Sequence, residues 1–389
     1  MTVRAMRNSG IDLLRGLAIV LVLFNHLGLR IPLKKTVLAD VLPTWLLSRV
    51  NYNGYEAVFV FFVISGFLIA GNALRRWGRL ERIDIRAFYA LRFTRIAPCL
   101  LALVAVLSAL HLLGMQDYVI NRAGQSLPRA IIAVLGLHLN WYEGQTGYLP
   151  GSWDVLWSLS IEEVFYIGFP IVCLLTRRRA VLMPLLMVLA ASLPWTHAAL
   201  SDNEIWQEKA YLPGMAAIAT GMLGALLAEY WQAPTRRRSM VLLGWLGALG
   251  LIAVMVFGAE LWRLLHDGYM LVLTLSSLCL VLASYQRQRL GGFRPLRGWG
   301  WLRSWGRLSY EIYLSHMFVV YAIVRLFKLS GGDYRLGFLW YLLTLPLCWL
   351  LGAAVERGLS APCERWLRGR LLHAHATVAA KECSGAAAD

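Results

Sequence analysis

Apolar stretches about twenty residues long determine what this chain can fold into. Ten of them alternate with short polar segments, and a helix of about 20 apolar residues crosses the hydrocarbon core of a bilayer. Of all residues, 58% are hydrophobic and 15% are charged, whereas a soluble domain carries about 25% charged residues. We therefore predict an all-α, polytopic transmembrane helix bundle of about ten spans. The predicted spans are 11–29, 54–71, 96–114, 155–175, 180–199, 211–230, 240–259, 268–284, 306–328 and 336–357.

The basic residues predict how the bundle is oriented. The net charge is +16, and most of the 38 Lys and Arg lie in short segments that alternate spans place on one side. Because basic segments between spans face the cytoplasm, we expect both termini inside. The positive charge is thus explained by membrane orientation, and we expect no nucleic-acid partner. The apolar piece 130–141 is too short to cross, so we interpret it as re-entrant or interfacial. Residues 1–370 form the predicted membrane domain, and the small, polar tail 371–389 is predicted to be disordered in the cytoplasm.

Three ionisable residues lie inside the first span: Asp12, Arg15 and His26. Arg15 and His26 return to within about 20° of the same helix face, about 16 Å apart along the axis. Ionisable groups are costly in lipid and normally mark a functional site. One face of this helix is therefore predicted to line a polar cavity that extends through much of the membrane.

Arg92 and Arg95 stand one helical turn apart, where the third span enters the membrane. Two guanidiniums on one face can hold a phosphate group bidentately. A phosphate-rich cytoplasmic donor such as coenzyme A would suit this pair. The alternative is that both arginines serve membrane topology alone.

The segment 151–170 places Ser158, Glu162 and Tyr166 on one face of the fourth span, with Trp157 near the outer interface. Glu162 is the candidate carboxylate that orients or charges a catalytic imidazole. The alternative is that it forms an ion pair with a buried arginine.

The segment 308–317 carries Ser309, Tyr313 and His316 on one face, whereas Glu311 points elsewhere. His316 is predicted near the middle of the membrane, either as a hydrogen-bonded structural residue or as part of the site. The candidate substrate-binding residues are thus Ser158, Trp157, Tyr313 and His316. The spacing of the six cysteines indicates neither a disulfide framework nor a metal site. Gly54, Ser65, Gly66 and Gly71 of the second span are predicted to form a packing face.

Taken together, these segments resemble acyltransferase family 3, a family of integral membrane O-acyltransferases. Five motifs occur in the family's order, from residue 11 to about residue 317, and it is this ordered set that is specific. Ala57 stands where the family usually has glycine. The five matching segments are IDLLRGLAIVLVLFNH with its arginine–ten residues–histidine spacing, FVFFVISGFLI, FYALRFTRIAP, WSLSIEEVFY and LSYEIYLSH.

The resemblance implies transfer of an acyl group, often acetyl, from a cytoplasmic donor to a hydroxyl group. Acceptors in the family are cell-surface glycans or, in some members, small metabolites. His26 corresponds to the essential histidine, Arg15 to its partner, Arg92 and Arg95 to the donor-side arginines, and Glu162 to the acid. We expect acyl-CoA, as acetyl-CoA, to be the donor, no permanently bound cofactor, and a bacterial cytoplasmic membrane as the location.

On this basis we expect the acyl-CoA phosphates to bind Arg92 and Arg95, with help from Arg15. His26 would act as the general base on the acceptor hydroxyl or carry the acyl group transiently. Glu162 or Asp12 would fix the tautomer of His26, and Glu162 is preferred because Asp12 lies about 20 Å from His26 along the helix.

Two other classes of protein remain open. A transporter or flippase would use the same buried charges as a permeation path for a lipid-linked or acidic solute. A non-catalytic scaffold of a glycan-assembly complex would tolerate replacement of His26 and Glu162.

Overall fold

The computed structural model describes residues 8–200, 202–231, 237–291 and 298–371, and this part of the chain is helical, without β-strands. Residues 372–389, almost all of the predicted disordered tail, lie outside the described residues. The helices are α1 (Ser9–Gly28), α2 (Thr44–Tyr52), α3 (Gly54–Trp77), α4 (Ile85–Leu112), α5 (Leu127–Leu135), α6 (Leu139–Thr146), α7 (Gly151–Asp154), α8 (Trp157–Thr176), α9 (Arg179–Ala191), α10 (Leu193–Ala198), α11 (Glu204–Lys209), α12 (Tyr211–Tyr230), α13 (Arg237–Leu265), α14 (Tyr269–Arg289), α15 (Gly300–Arg307), α16 (Ser309–Leu329) and α17 (Phe338–Val355).

Eight helical segments of the described chain are long and apolar enough to cross a bilayer. One of them, Arg238–Arg289, is a hairpin of α13 and α14 with a three-residue turn between them. The last continues α17 through a π-helical turn to Leu371. The chain is therefore an integral membrane helix bundle. The eight segments are Ser9–Gly28, Gly54–Trp77, Ile85–Leu112, Gly151–Thr176, Glu204–Tyr230, Arg238–Arg289, Ser309–Leu329 and Phe338–Leu371.

Two apolar segments form shorter helices. The predicted fifth span, 180–199, is divided between α9, of 13 residues, and α10, which begins with Pro194 in its first turn. Proline lacks the backbone N–H that a continuous helix would need at this point. The segment 130–141 is likewise divided between α5 and α6 at Leu137, which has a φ of 58°. Neither of those two helices is long enough to cross a membrane.

Helix α4 begins well before the predicted third span because Asp84 caps its N-terminus, accepting a hydrogen bond from the backbone N–H of Ala87. The arginine-rich segment up to Arg95 is therefore helical and continuous with the membrane span. This continuity holds Arg92 and Arg95 on a rigid element, one turn apart.

Helix α3 lies at the centre of the bundle, packed closely against α12. A Cβ added at Gly66 would collide with the backbone oxygen of Ile218, and one added at Gly221 with that of Val63. Small residues allow such backbone approach between membrane helices. The predicted packing face of α3 is thus confirmed at Gly66, whereas Gly71 faces open space.

Candidate active site

A cavity of about 340 Å³ lies between α1, α3, α4, α8 and α16. These five helices carry the five sequence motifs, so the fold assembles segments that are far apart along the chain. Six of the predicted site residues line the cavity: Arg15, Arg92, Arg95, Ser158, Glu162 and Tyr313.

Arg92 and Arg95 have different surroundings within this cavity. The guanidinium carbon of Arg92 lies 4.0 Å from the centroid of the Tyr166 ring. Arg95 instead lies 3.2 Å from the carboxylate of Glu311 and 3.4 Å from that of Glu364. Glu311 is fully buried and points away from the face of Tyr313, as predicted, and its partner there is Arg95. Both guanidiniums thus lie over an aromatic ring, since that of Arg95 is 5.1 Å from the Tyr310 centroid, but only Arg95 is also paired with two carboxylates.

Glu162 lies on the cavity wall near the arginines. Its Oε2 accepts a hydrogen bond of 3.1 Å from the Tyr166 hydroxyl, which also shares a short hydrogen bond with Ser65. The positive charges of Arg92 and Arg15 act on this carboxylate. Ser65, predicted only as a packing residue, is thus part of the polar wall.

His26 and His316 form a pair of rings with their centroids 5.1 Å apart. The Nδ1 of His316 lies 2.7 Å from the backbone oxygen of Tyr313, and because a carbonyl only accepts, this Nδ1 carries the proton. His316 is fully buried, and its Nε2 has no hydrogen-bond partner among the described residues. His26 is half-buried, and the nearest charged or titratable groups around it are His316, Arg30 and Lys209.

Tyr313 separates this histidine pair from the cavity. Its hydroxyl donates to the backbone oxygen of Val155 at 2.9 Å and lies 2.7 Å from the Ser158 hydroxyl, and its ring lies 5.9 Å from that of His316. Arg15 therefore lines the cavity directly, as predicted, whereas His26 lies behind Tyr313. The difference arises because Tyr313 lines the cavity, bonds Val155 and Ser158 and contacts His316, while neither histidine lines the cavity.

At the end of the cavity away from the histidine pair, Arg15 donates a hydrogen bond of 3.1 Å to the Ser309 hydroxyl. The negative charge of Asp12 also stabilises the positive charge of Arg15. Glu162 and Asp12 are thus placed with arginines, and the proposed role of either in orienting His26 stays a prediction. Trp157, predicted at the outer interface, is instead buried against Tyr55 and Phe62.

Sequence reasoning missed a group of buried polar atoms in α7. This helix and Val155, which follows it, contact α16 on both sides of His316. A Cβ added at Gly151 would lie 2.9 Å from the Tyr321 hydroxyl, and the backbone oxygen of Val155 accepts the hydrogen bond of Tyr313. Between them, the Oγ of Ser152 and the Nε1 of Trp153 are buried without a hydrogen-bond partner in the described part of the chain. Buried polar atoms nearly always have partners, so two unpaired donors on α7, which packs against α16, indicate a place for a bound group.

A cluster of buried charges holds the outer segments on this site. Lys209 lies 2.9 Å from Glu143 and also bonds Asp154, joining α11 to α6 and to the end of α7. Burial raises the pKa of the Glu143 carboxyl to about 8, and the nearby Asp154 adds to this effect, while Lys209 opposes it. The cluster therefore fixes α7 in place beside α16.

The model of the acyltransferase 3 family, described as an acyltransferase domain, matches residues 8–354. This chain belongs to acyltransferase family 3. The chain is 26% identical over 328 residues to the O-acetyltransferase OatA of Staphylococcus aureus, a match that covers 79% of this chain and 49% of that protein. It is 26% identical over 337 residues to the peptidoglycan O-acetyltransferase OatA of Listeria monocytogenes, covering 79% of this chain and 48% of that protein.

The chain thus spans about half the length of the curated relatives it matches. No solved structure matches it significantly. The five motifs all lie within the matched residues 8–354. The helices that carry them surround the cavity.

Proposed function

We propose that this chain is a membrane O-acyltransferase that moves an acyl group, as acetyl, from cytoplasmic acetyl-CoA to a hydroxyl of a glycan at the outer surface. The observation that carries the proposal is the cavity that begins at Arg92 and Arg95 and ends at Tyr313, with the histidine pair behind it. Family membership supports acyl transfer, and the names of the relatives support acetyl as the group and a glycan as the acceptor.

We place the chain in the bacterial cytoplasmic membrane as ten spans with both termini inside. In this arrangement α13 and α14 are separate spans, and α9 with α10 forms the fifth. The arginine-rich segments 72–95 and 176–179 then face the cytoplasm, in agreement with the positive-inside rule. The end of the cavity with Arg92 consequently opens toward the side where acyl-CoA is made.

At the donor end, Arg92 is the principal phosphate contact. Its guanidinium lies on the cavity wall over Tyr166, whereas Arg95 is already paired with Glu311 and Glu364. A phosphate bound by Arg92 would leave the pantetheine arm to extend along the cavity toward Tyr313, whose side chain must turn aside for the thioester to reach His26. Acetyl-CoA is thus a substrate that binds and leaves, and not a resident cofactor.

At the acceptor end, His26 takes the proton of the acceptor hydroxyl as its oxygen attacks the thioester carbonyl. The carbon–sulfur bond then breaks, and the proton passes to the departing thiolate, which leaves as free CoA. The unprotonated Nε2 of His316 can accept a hydrogen bond from the acceptor or from His26. The unpaired donors of Ser152 and Trp153 would stabilise the negative charge that develops on the carbonyl oxygen.

The test is His26→Ala, assayed by CoA release from acetyl-CoA and by acetylation of a glycan added to membranes that contain the protein. We expect loss of both activities while the protein remains inserted, because the group that takes the acceptor proton is removed. His266→Ala, which removes an exposed histidine from the turn between α13 and α14, is the matched control and should retain activity.

Wild-type activity of His26→Ala would refute the mechanism, whereas a scaffold predicts that even the wild-type protein releases no CoA. A transporter would instead move solute without releasing CoA, and that outcome would refute acyl transfer altogether.

A further inference from the structure

A second cavity, of about 240 Å³, lies beyond the outer ends of the spans. It is formed by the loop that follows α4 and by the segment that precedes α7. The side chains around it are almost all polar and include an acid, amides, a guanidinium and a phenol. The residues that matter here are Asp117, Asn121, Arg122, Gln125 and Tyr148.

This outer cavity connects to the histidine pair through a short series of contacts. Tyr118, next to Asp117, meets the ring of Tyr321 with the centroids 5.4 Å apart. The guanidinium carbon of Arg30 lies 5.0 Å from the centroid of the same Tyr321 ring. Arg30 in turn donates a hydrogen bond of 2.8 Å to the backbone oxygen of His26. Three side chains, Tyr118, Tyr321 and Arg30, thus connect the outer cavity wall at Asp117 to the backbone of His26.

The chain beside the cavity makes a second connection. Pro150 lines the outer cavity, and the next residue, Gly151, lies against Tyr321 at the start of α7. Helix α7 carries the unpaired donors of Ser152 and Trp153. A molecule held in the outer cavity therefore lies next to the segment that brackets His316.

The lining chemistry favours a carbohydrate over an apolar metabolite. Carboxylate, amide and guanidinium groups can bond several hydroxyls at once, as donors and as acceptors. An apolar ligand would remove water from these groups without replacing its hydrogen bonds, which is costly. Gln125 strengthens the argument, because its Nε2 bonds the backbone oxygen of Gly147 at 2.7 Å while its buried Oε1 has no partner among the described residues.

We propose that the outer cavity binds a sugar ring of the glycan acceptor and so presents a neighbouring hydroxyl to the histidine pair. This inference rests on the proposed function, since it assumes that the acceptor approaches from the outer side. It assigns Asp117 and Asn121 to acceptor binding.

The experiment is saturation-transfer NMR of chitotetraose, a soluble chain of N-acetylglucosamine, with the protein in nanodiscs and without acetyl-CoA. We expect binding to the wild-type protein, and about tenfold weaker binding to a variant with Asp117→Ala and Asn121→Ala, because two exposed hydrogen-bonding groups are lost. Asp40→Ala is the control, because Asp40 is an outer-surface carboxylate paired with Arg335. It should bind chitotetraose as the wild type does.

Absence of binding to the wild-type protein, or equal binding by the double variant, overturns the proposal. The His26→Ala variant separates this result from the proposed function, since it should lose acetyl transfer and still bind chitotetraose. Binding by a wild-type protein that releases no CoA would refute the acyltransferase mechanism and leave the sugar site in place.

Discussion

Removal of Arg92 should weaken donor binding, whereas removal of Arg95 should destabilise the folded protein. Arg92→Ala should raise the KM for acetyl-CoA by about tenfold to a hundredfold, because a charge-assisted phosphate contact is lost. Arg95→Ala should instead lower the free energy of unfolding by about 3 kcal/mol, because Glu311 would remain buried without its cation. Donor kinetics and thermal unfolding of the purified variants measure the two effects separately.

Removing the buried charge provides the control for this comparison. Adding Glu311→Gln to Arg95→Ala should restore most of the lost stability, since the uncompensated carboxylate is then gone. An Arg95→Ala protein of full stability that binds acetyl-CoA poorly would show that Arg95, and not Arg92, is the principal phosphate contact.

The indole N–H of Trp153 offers a test of charge stabilisation, because phenylalanine removes the donor and keeps an aromatic ring in the same buried position. Trp153→Phe should lower kcat by about a hundredfold with little change in the KM for acetyl-CoA, because the donor acts on charge that develops only in the transition state. Trp195→Phe, at an exposed tryptophan of α10, should have no effect on either constant. An unchanged kcat in Trp153→Phe would mean that this N–H contacts no reacting atom.

Helical spacing within one segment predicted several of the residues that line the cavity, but it wrongly placed His26 there as well. Arg15, Arg92 and Glu162 were each found from their position on a helix face, and all three line it. The ion pair of Arg95 with Glu311 and the role of Tyr313 as a partition could not be found in this way. Both depend on how α4, α8 and α16 cross, which no single segment specifies.

At the scale of helices, the contact between α3 and α12 holds the site together, because α3 also forms one wall of the cavity. Gly221→Val should greatly reduce the amount of folded protein, since its side chain would collide with the backbone of α3 near Val63. Gly71→Ala is the control, because Gly71 lies on α3, the partner helix of α12, and faces open space. This variant should fold normally. Monodisperse protein recovered after detergent extraction is the measurement, and normal recovery of Gly221→Val would show that the two helices can separate without loss of the fold.

The length and apolarity of the segments predicted the long helices, but not where a helix breaks. The stretch 180–199 has the apolar length of a span, yet its helix is interrupted at Ser192, between α9 and α10. Pro194 was a visible signal of this break. At Leu137 the positive φ that separates α5 from α6 has no such signal, because leucine rarely adopts that conformation and surrounding contacts must impose it.

At the scale of the whole molecule, the mechanism requires donor and acceptor to approach from opposite faces, so the side on which each loop lies is decisive. With ten spans, the loops at Asp202 and His266 face outward, whereas Arg178 faces the cytoplasm. Cysteines placed singly at Asp202 and His266 should react with a membrane-impermeant maleimide added to intact cells, and one at Arg178 should react only after permeabilisation.

The unmodified chain gives the baseline, since the cysteines in the described part of the chain are buried or half-buried. If Asp202 and Arg178 react from the same side, α9 and α10 do not cross, and every later span changes direction. The arginine-rich end of α14 would then face outward, contrary to the positive-inside rule, and the cavity would no longer separate a cytoplasmic donor from an outer acceptor.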